Sequence, residues 1–269
     1  MMAATEGINI EPVPVVPTFF VNIGVTERVI EQNDLFQVLG DFCQIVHLKL
    51  APNQTIQAEP GTMCYMSDNC KETVKMGGIG RLLMDGSLMK GCFQNKDAQN
   101  AGFIGLTGNA PGNIIPINLD MMGGAIKGKR DAFLAAFDSG CRIKLATISA
   151  SSCGGCLCAD TPFFLQEISA KGWVFLNAHG TIMQKELKDG EEIVVDGNSF
   201  VACSMSVKVD ARRSGSCATM CCGGEGMYNT ALKGPGLVIL CSLPMDKLRK
   251  LFLQPNSRPN PKNKPTKVN

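Results

Sequence analysis

No stretch of this 269-residue chain approaches the ~18 consecutive apolar residues that a membrane-spanning helix needs, so a helical membrane protein is excluded. Aromatic residues make up only 6%, with one Trp, and histidine occurs only at His47 and His179. Two histidines argue against a mixed Cys/His metal site, and neither stands near a G-x-S-x-G or other nucleophile signature. Amphipathic helical periodicity is missing until "MDKLRKLFL" at 245–253, where Leu248, Leu251 and Phe252 share one helical face. The body also lacks positive charge. From Asp246 onward seven basic residues face one acid, so that tail carries +6 of the chain's net +2 and leaves −4 for residues 1–245. A nucleic-acid binder shows a basic body, so no nucleic-acid partner is expected. The N-terminal "MMAATEGINIEPVPVVP" has no apolar segment before a small-residue cleavage site and no Arg, and it carries Glu6 and Glu11. That composition speaks against a secretory signal and an ordinary mitochondrial presequence, so the expected compartment is the cytoplasm.

What is present suffices for a core: 45% of residues are hydrophobic and 19% charged. Twenty-nine glycines point to many turns. Thirteen cysteines, an odd number with no secretory signal, read as reduced thiols rather than a disulfide framework.

The chain resembles itself three times. Leu50, Leu119 and Leu187 each end a strand-like run, and a turn then leads to Ile56, Ile126 and Ile193. Seven residues after each Ile stands a large apolar residue: Met63, Phe133 and Phe200. Further on come "GFIGL" from Gly102, "GWVFL" from Gly172 and "GLVIL" from Gly236, at 46, 46 and 43 residues from the Ile. Two landmarks that keep their spacing imply a triplication with a unit of 67–70 residues. β-branched and aromatic residues alternate or cluster between Gly, Asp and Asn turns, so each unit reads as short strands closed by turns. The fold expected is all-β, three small sandwich or jelly-roll-like units. The expected divisions are a Pro-rich extension at 1–33 packed on the first unit, repeats at 34–112, 113–179 and 180–244, and a short helix with a basic disordered tail at 245–269.

The chemical candidates are few. "CGGCLC" holds Cys153, Cys156 and Cys158, and "CATMCC" holds Cys217, Cys221 and Cys222. Cys158 and Cys222 each lie 14 residues before Gly172 and Gly236, so the clusters occupy one slot in successive units. They read as loop cysteines. The alternatives are a shared thiolate site for zinc, although the second cluster lacks C-x-x-C, and reversible oxidation. "GGAIKGKR" nearly spells a phosphate loop through Gly123, Gly128 and Lys129, but Arg130 stands where Ser or Thr would hold magnesium. Ile126 is also the counterpart of Ile56 and Ile193, which places a strand where that loop needs a helix. His47 reads as a strand residue, His179 as a turn residue, and Glu225 as a solvated residue between glycines that shape a turn. No catalytic residue and no cofactor emerge from this reading.

The runs "AEPGTMCYM", "GNIIPINL", "FFLQ", "GWVFLNAHG", "GEEIVVDGNSFVA", "GGEGM" and "LKGPGLVILCSLP", from about Leu35 to Pro244, resemble the TRAP-like family of bacterial proteins and of mitochondrial relatives named for altered inheritance of mitochondria. The resemblance implies three short double-stranded β-helix domains per chain and a homotrimer whose nine domains close into a ring. It also implies a link to mitochondrial inner-membrane organisation and respiratory assembly, with a mitochondrial location as the alternative compartment. It carries over no catalytic residue, and the tryptophan and RNA sites of the name-giving protein have no matching motif. Ala159-Asp160-Thr161-Pro162 replaces the Gly-rich turn before "FFLQ", and the cysteine clusters and basic tail stand outside the family pattern. The expected function is therefore a non-enzymatic β-ring assembly module with an unidentified protein partner. A thiol-based metal or redox protein is the alternative.

Overall fold

The structure, a computed structural model, describes residues 21–22, 35–41, 43–76, 89–146, 165–213 and 228–243. The helix expected at 245–253, the basic tail and Glu225 lie outside these residues. So do Cys153, Cys156, Cys158, Cys217, Cys221 and Cys222.

Two short strands, β1 (Val21–Asn22) and β2 (Phe36–Leu39), come first. Six follow: β3 (Ile45–Leu50), β4 (Thr55–Ala58), β5 (Met63–Met66), β6 (Cys70–Met76), β7 (Met89–Asn95) and β8 (Gly102–Thr107). The next six are β9 (Asn113–Asn118), β10 (Ala125–Lys129), β11 (Phe133–Ala136), β12 (Arg142–Ala146), β13 (Leu165–Ser169) and β14 (Trp173–Ala178). The last six are β15 (Ile182–Leu187), β16 (Glu192–Val195), β17 (Phe200–Ser204), β18 (Lys208–Arg213), β19 (Tyr228–Lys233) and β20 (Gly236–Cys241). Among the described residues the only helical element is a 3-10 turn at Leu119–Met122.

Local chemistry explains the strands. In β3, Val46, Leu48 and Leu50 are buried while Ile45, His47 and Lys49 face outward, the period of two that a half-buried strand imposes. Asn53 and Asp131 reverse the chain at positive φ, the conformation that Asn and Asp tolerate best among non-glycine residues.

One pairing scheme occurs in all three groups of six. The sixth strand lies between the first and third, and the fifth between the second and fourth. The register shifts at the same place each time, between Met63 and Tyr65, Phe133 and Ala135, and Phe200 and Ala202. The landmarks meet across the ladders. Leu50 pairs Gly102 and Leu187 pairs Gly236, while the Leu119 N–H donates to the Gly172 carbonyl. The groups join through β4 with β11 and through β10 with β17. Among the described residues four antiparallel sheets result, of seven, six, four and three strands, and none of them closes on itself.

Three apolar clusters fill the interior, and each crosses a boundary between groups. Ile114, Leu134, Ala135 and Phe175 of the second group pack with Ile56, Ala58 and Leu106 of the first. Ile182, Val201, Ala202 and Ile239 of the third pack with Ile126, Ile168 and Leu176 of the second. Ala146 and Leu165 join the third cluster around Leu187, Phe200 and Leu232. Burial of this extent is the main stabilising term, at about 1.5–3 kcal/mol for each large side chain.

One expectation is corrected. The described part of the 1–33 extension, β1, pairs with β15 of the third group and not with the first. The reason is edge occupancy: β2 already pairs with the corresponding edge of β3.

Candidate functional site

Among the described residues no three His, Cys, Asp or Glu side chains gather closely enough to hold a metal ion. The described thiols are mostly inert. Cys70, Cys92, Cys141, Cys203 and Cys241 are buried, and Cys43 and Cys64 are exposed. Burial pushes the Cys203 thiol up to about 12 and also raises Cys241, so neither is a thiolate near neutral pH.

The two histidines sit where strand and turn place them. His47 on β3 shares a hydrogen bond of 3.0 Å between Nδ1 and the Tyr65 hydroxyl, and it stacks on Phe103 with ring centroids 5.4 Å apart. Burial lowers its pKa. His179 lies in the turn between β14 and β15, with Nδ1 2.6 Å from the Pro111 carbonyl oxygen, so Nδ1 carries the proton and donates. Its pKa is lowered first by burial and further by Lys129, against the Pro111 contact, which raises it.

The "GGAIKGKR" lysines are tie-points between groups. The Lys127 ammonium donates to the Met205 and Val207 carbonyls at 3.1 and 2.9 Å, and the Lys129 ammonium to the Asn198 carbonyl at 3.1 Å. Both lie on β10, a strand, so neither a helix nor a phosphate cradle follows them. A cavity of about 350 Å³ lies beside Lys127, Glu192, Lys208, Asp210, Arg212 and Lys233. Arg212 pairs with Glu192 there, and Lys127 is held by the two carbonyls, so three of its charged groups are satisfied within the chain.

The unusual surface is a pair of strand edges. Among the described residues β5 pairs only with β8, and β16 only with β19. Both edges are apolar. Met63, Cys64, Tyr65 and Met66 form β5, with Met63 and Cys64 exposed. Ile193, Val194 and Val195 follow Glu192 in β16, with Val194 46% exposed. Unpaired apolar edges are an association hazard that soluble proteins cover or blunt. The sequence shows Met63 and Ile193 as landmarks but gives no sign that they lie at edges. That depends on which groups pair with each other.

A family model described as "Mitochondrial biogenesis AIM24" matches residues 36–243. No curated protein matches the chain significantly. Among solved structures the chain is similar to the crystal structure of a Streptococcus pyogenes protein from a structural genomics consortium, with 21% identity and a TM-score of 0.63. That likeness covers 81% of this chain and 97% of the streptococcal one, and it speaks for the fold alone. No helix among the described residues is long and apolar enough to cross a membrane.

Proposed function

The chain belongs to the AIM24 family, and from that premise we propose that it is a non-enzymatic assembly module whose β-groups close into a homotrimeric ring. The three groups are tandem TRAP-like β repeats at 34–112, 113–179 and 180–244. The observation that carries the reading is the pairing scheme, repeated three times, in which among the described residues β5 and β16 lack the inter-group partner that their counterparts β11, β17, β4 and β10 have. A repeat that joins its neighbour edge to edge leaves its terminal edges open until another chain covers them. Closed point symmetry then gives every β5 and every β16 the same partner. The same geometry supports the non-enzymatic reading: the histidines and the "GGAIKGKR" lysines have structural partners, and the repeated landmarks are strand and turn positions. The process served is mitochondrial biogenesis, after the family's description. The compartment is read by fractionation, and the family's description points to mitochondria.

Light scattering on the purified chain tests the ring. Three chains of 28.8 kDa give a particle of about 86 kDa. A stable monomer at micromolar concentration overturns the reading. Elemental analysis of the same sample tests the alternative thiol-based site, and stoichiometric zinc would reinstate Cys153, Cys156, Cys158, Cys217, Cys221 and Cys222 as ligands.

A further inference from the structure

The two internal junctions follow one rule. At the first, Ala58 of β4 pairs Ala135 of β11, and Gln57 pairs Ala136. At the second, Gly128 of β10 pairs Ala202 of β17, and Lys127 pairs Cys203. Counted from Ile56 and Ile126 on one side, and from Phe133 and Phe200 on the other, these are the same alignment.

The rule leaves matched vacancies at the ends of the array. Ile56 and Ile126 are 0% exposed, whereas Ile193, their counterpart on β16, is half-buried. Leu134 and Val201 are 1% and 3% exposed because each enters the core of the preceding group. Their counterpart on β5, Cys64, is exposed. Beside Leu134 and Val201, Ile114, Ala135 and Phe175 enter the preceding core at one junction and Ile182, Ala202 and Ile239 at the other. In the first group those positions are Ile45, Tyr65 and Gly105. Here large and small are exchanged. A small Ala beside a large Phe or Ile becomes a large Tyr beside Gly, and the Tyr65 ring fills the space over Gly105. The total volume presented is conserved and the apolar face remains, but among the described residues no preceding group lies against it.

We propose that β16 of one copy pairs antiparallel with β5 of a second copy, with Val195 opposite Tyr65 and Val194 opposite Met66. This inference rests on the ring reading and specifies its joint. The joint is head-to-tail, so each copy offers β16 at one end and β5 at the other. Cys64 then enters the third cluster of the neighbouring copy, around Leu187, Phe200 and Leu232. The occupant is a second copy because the open edges complete the register that already joins the groups within one chain.

The test uses the full chain in three measurements. Light scattering reads the ring. Alkylation of the unaltered chain with N-ethylmaleimide reads Cys64, which is expected to react at least about tenfold more slowly than in the guanidinium-unfolded chain. Mild oxidation reads the register. Cross-strand neighbours lie about 4.5–5.5 Å apart at Cα, within disulfide reach. A Met66→Cys chain mixed with a Val194→Cys chain is therefore expected to yield a linked heterodimer, while a Met66→Cys chain mixed with Val195→Cys does not, because adjacent residues face opposite ways. Met66→Cys chains that link to each other would show a symmetric joint and overturn the proposal. A trimer with fully reactive Cys64, or with links only at the offset pair, overturns the joint and leaves the ring standing. A monomer with protected Cys64 shows that the chain covers its own edge, and it overturns both.

Discussion

The Tyr65 ring lies across Gly105, and the Tyr65 hydroxyl meets His47 Nδ1 at 3.0 Å. Gly105 pairs with His47 on one side and Tyr65 on the other, so one cross-strand row holds all three residues. The contact exists because the central residue has no side chain. Any Cβ there collides with the Tyr65 ring. Gly105→Ala is therefore expected to displace Tyr65 and cost about 1–3 kcal/mol, the usual range for overpacking. Thermal unfolding at fixed chain concentration measures it. Tyr65→Ala in the same background should recover part of the loss, since it removes the clash.

Stability should fall as pH drops below neutrality. His47 and His179 both have pKa values lowered by burial, so the unfolded chain takes up their protons more readily than the folded one. Their contribution is fully present above the unfolded value of 6.5 and is lost as pH falls through it toward the lower folded values. Denaturant unfolding between pH 8 and 5, as an approximate span, reads the slope. His47→Gln should flatten it, and an unchanged slope would mean that the ring nitrogen does not titrate differently on folding.

Ile126 and Ile193 occupy one position in two groups, yet their truncation should differ. Ile126→Ala removes a fully buried side chain and is expected to cost about 2–5 kcal/mol whatever the chain concentration. Ile193→Ala should cost the isolated chain roughly 1 kcal/mol and act chiefly on association. Urea midpoints measured across a hundredfold dilution, an arbitrary but ample range of about two decades, separate the two effects.

A charge on the open edge should block association without unfolding the chain. Val195→Lys places an ammonium where soluble proteins use lysine to protect edges. The expected product is a folded monomer by light scattering, with a circular dichroism spectrum like that of the unaltered chain. An unchanged trimer would place the joint elsewhere.

Lys127 ties β10 to the turn before β18 through two carbonyl oxygens. Lys127→Met should cost about 1.5–3 kcal/mol, the range for hydrogen bonds made by charged groups. Calorimetric titration with ATP should show no binding before or after the change, which separates a structural tie from a phosphate loop.

Much of the fold was legible in the residues. Leu50 and Gly102, Leu119 and Gly172, and Leu187 and Gly236 keep their spacing in the chain, and each pair meets across a ladder or through a backbone hydrogen bond. Such landmarks are readable because turn chemistry and a period of two act within a few residues. The shared apolar position of Met63, Phe133 and Phe200 marks the same register shift in each group for that reason. The candidate site was not legible in the same way. "MCYM" and "EIVV" look like any other strands of this chain, and local propensity does not distinguish an inner strand from an outer one. Only the pairing of β4 with β11 and β10 with β17 leaves β5 and β16 at the ends. The exchange of Tyr65 with Gly105 joins residues 40 apart, and it has no meaning until the register sets them side by side. The sequence by itself determined the all-β class, the turn positions and the recurring landmarks, because those follow from short-range sterics and burial. The tertiary structure alone decided which apolar strands remain open, because an edge is defined by the absence of a neighbour in space.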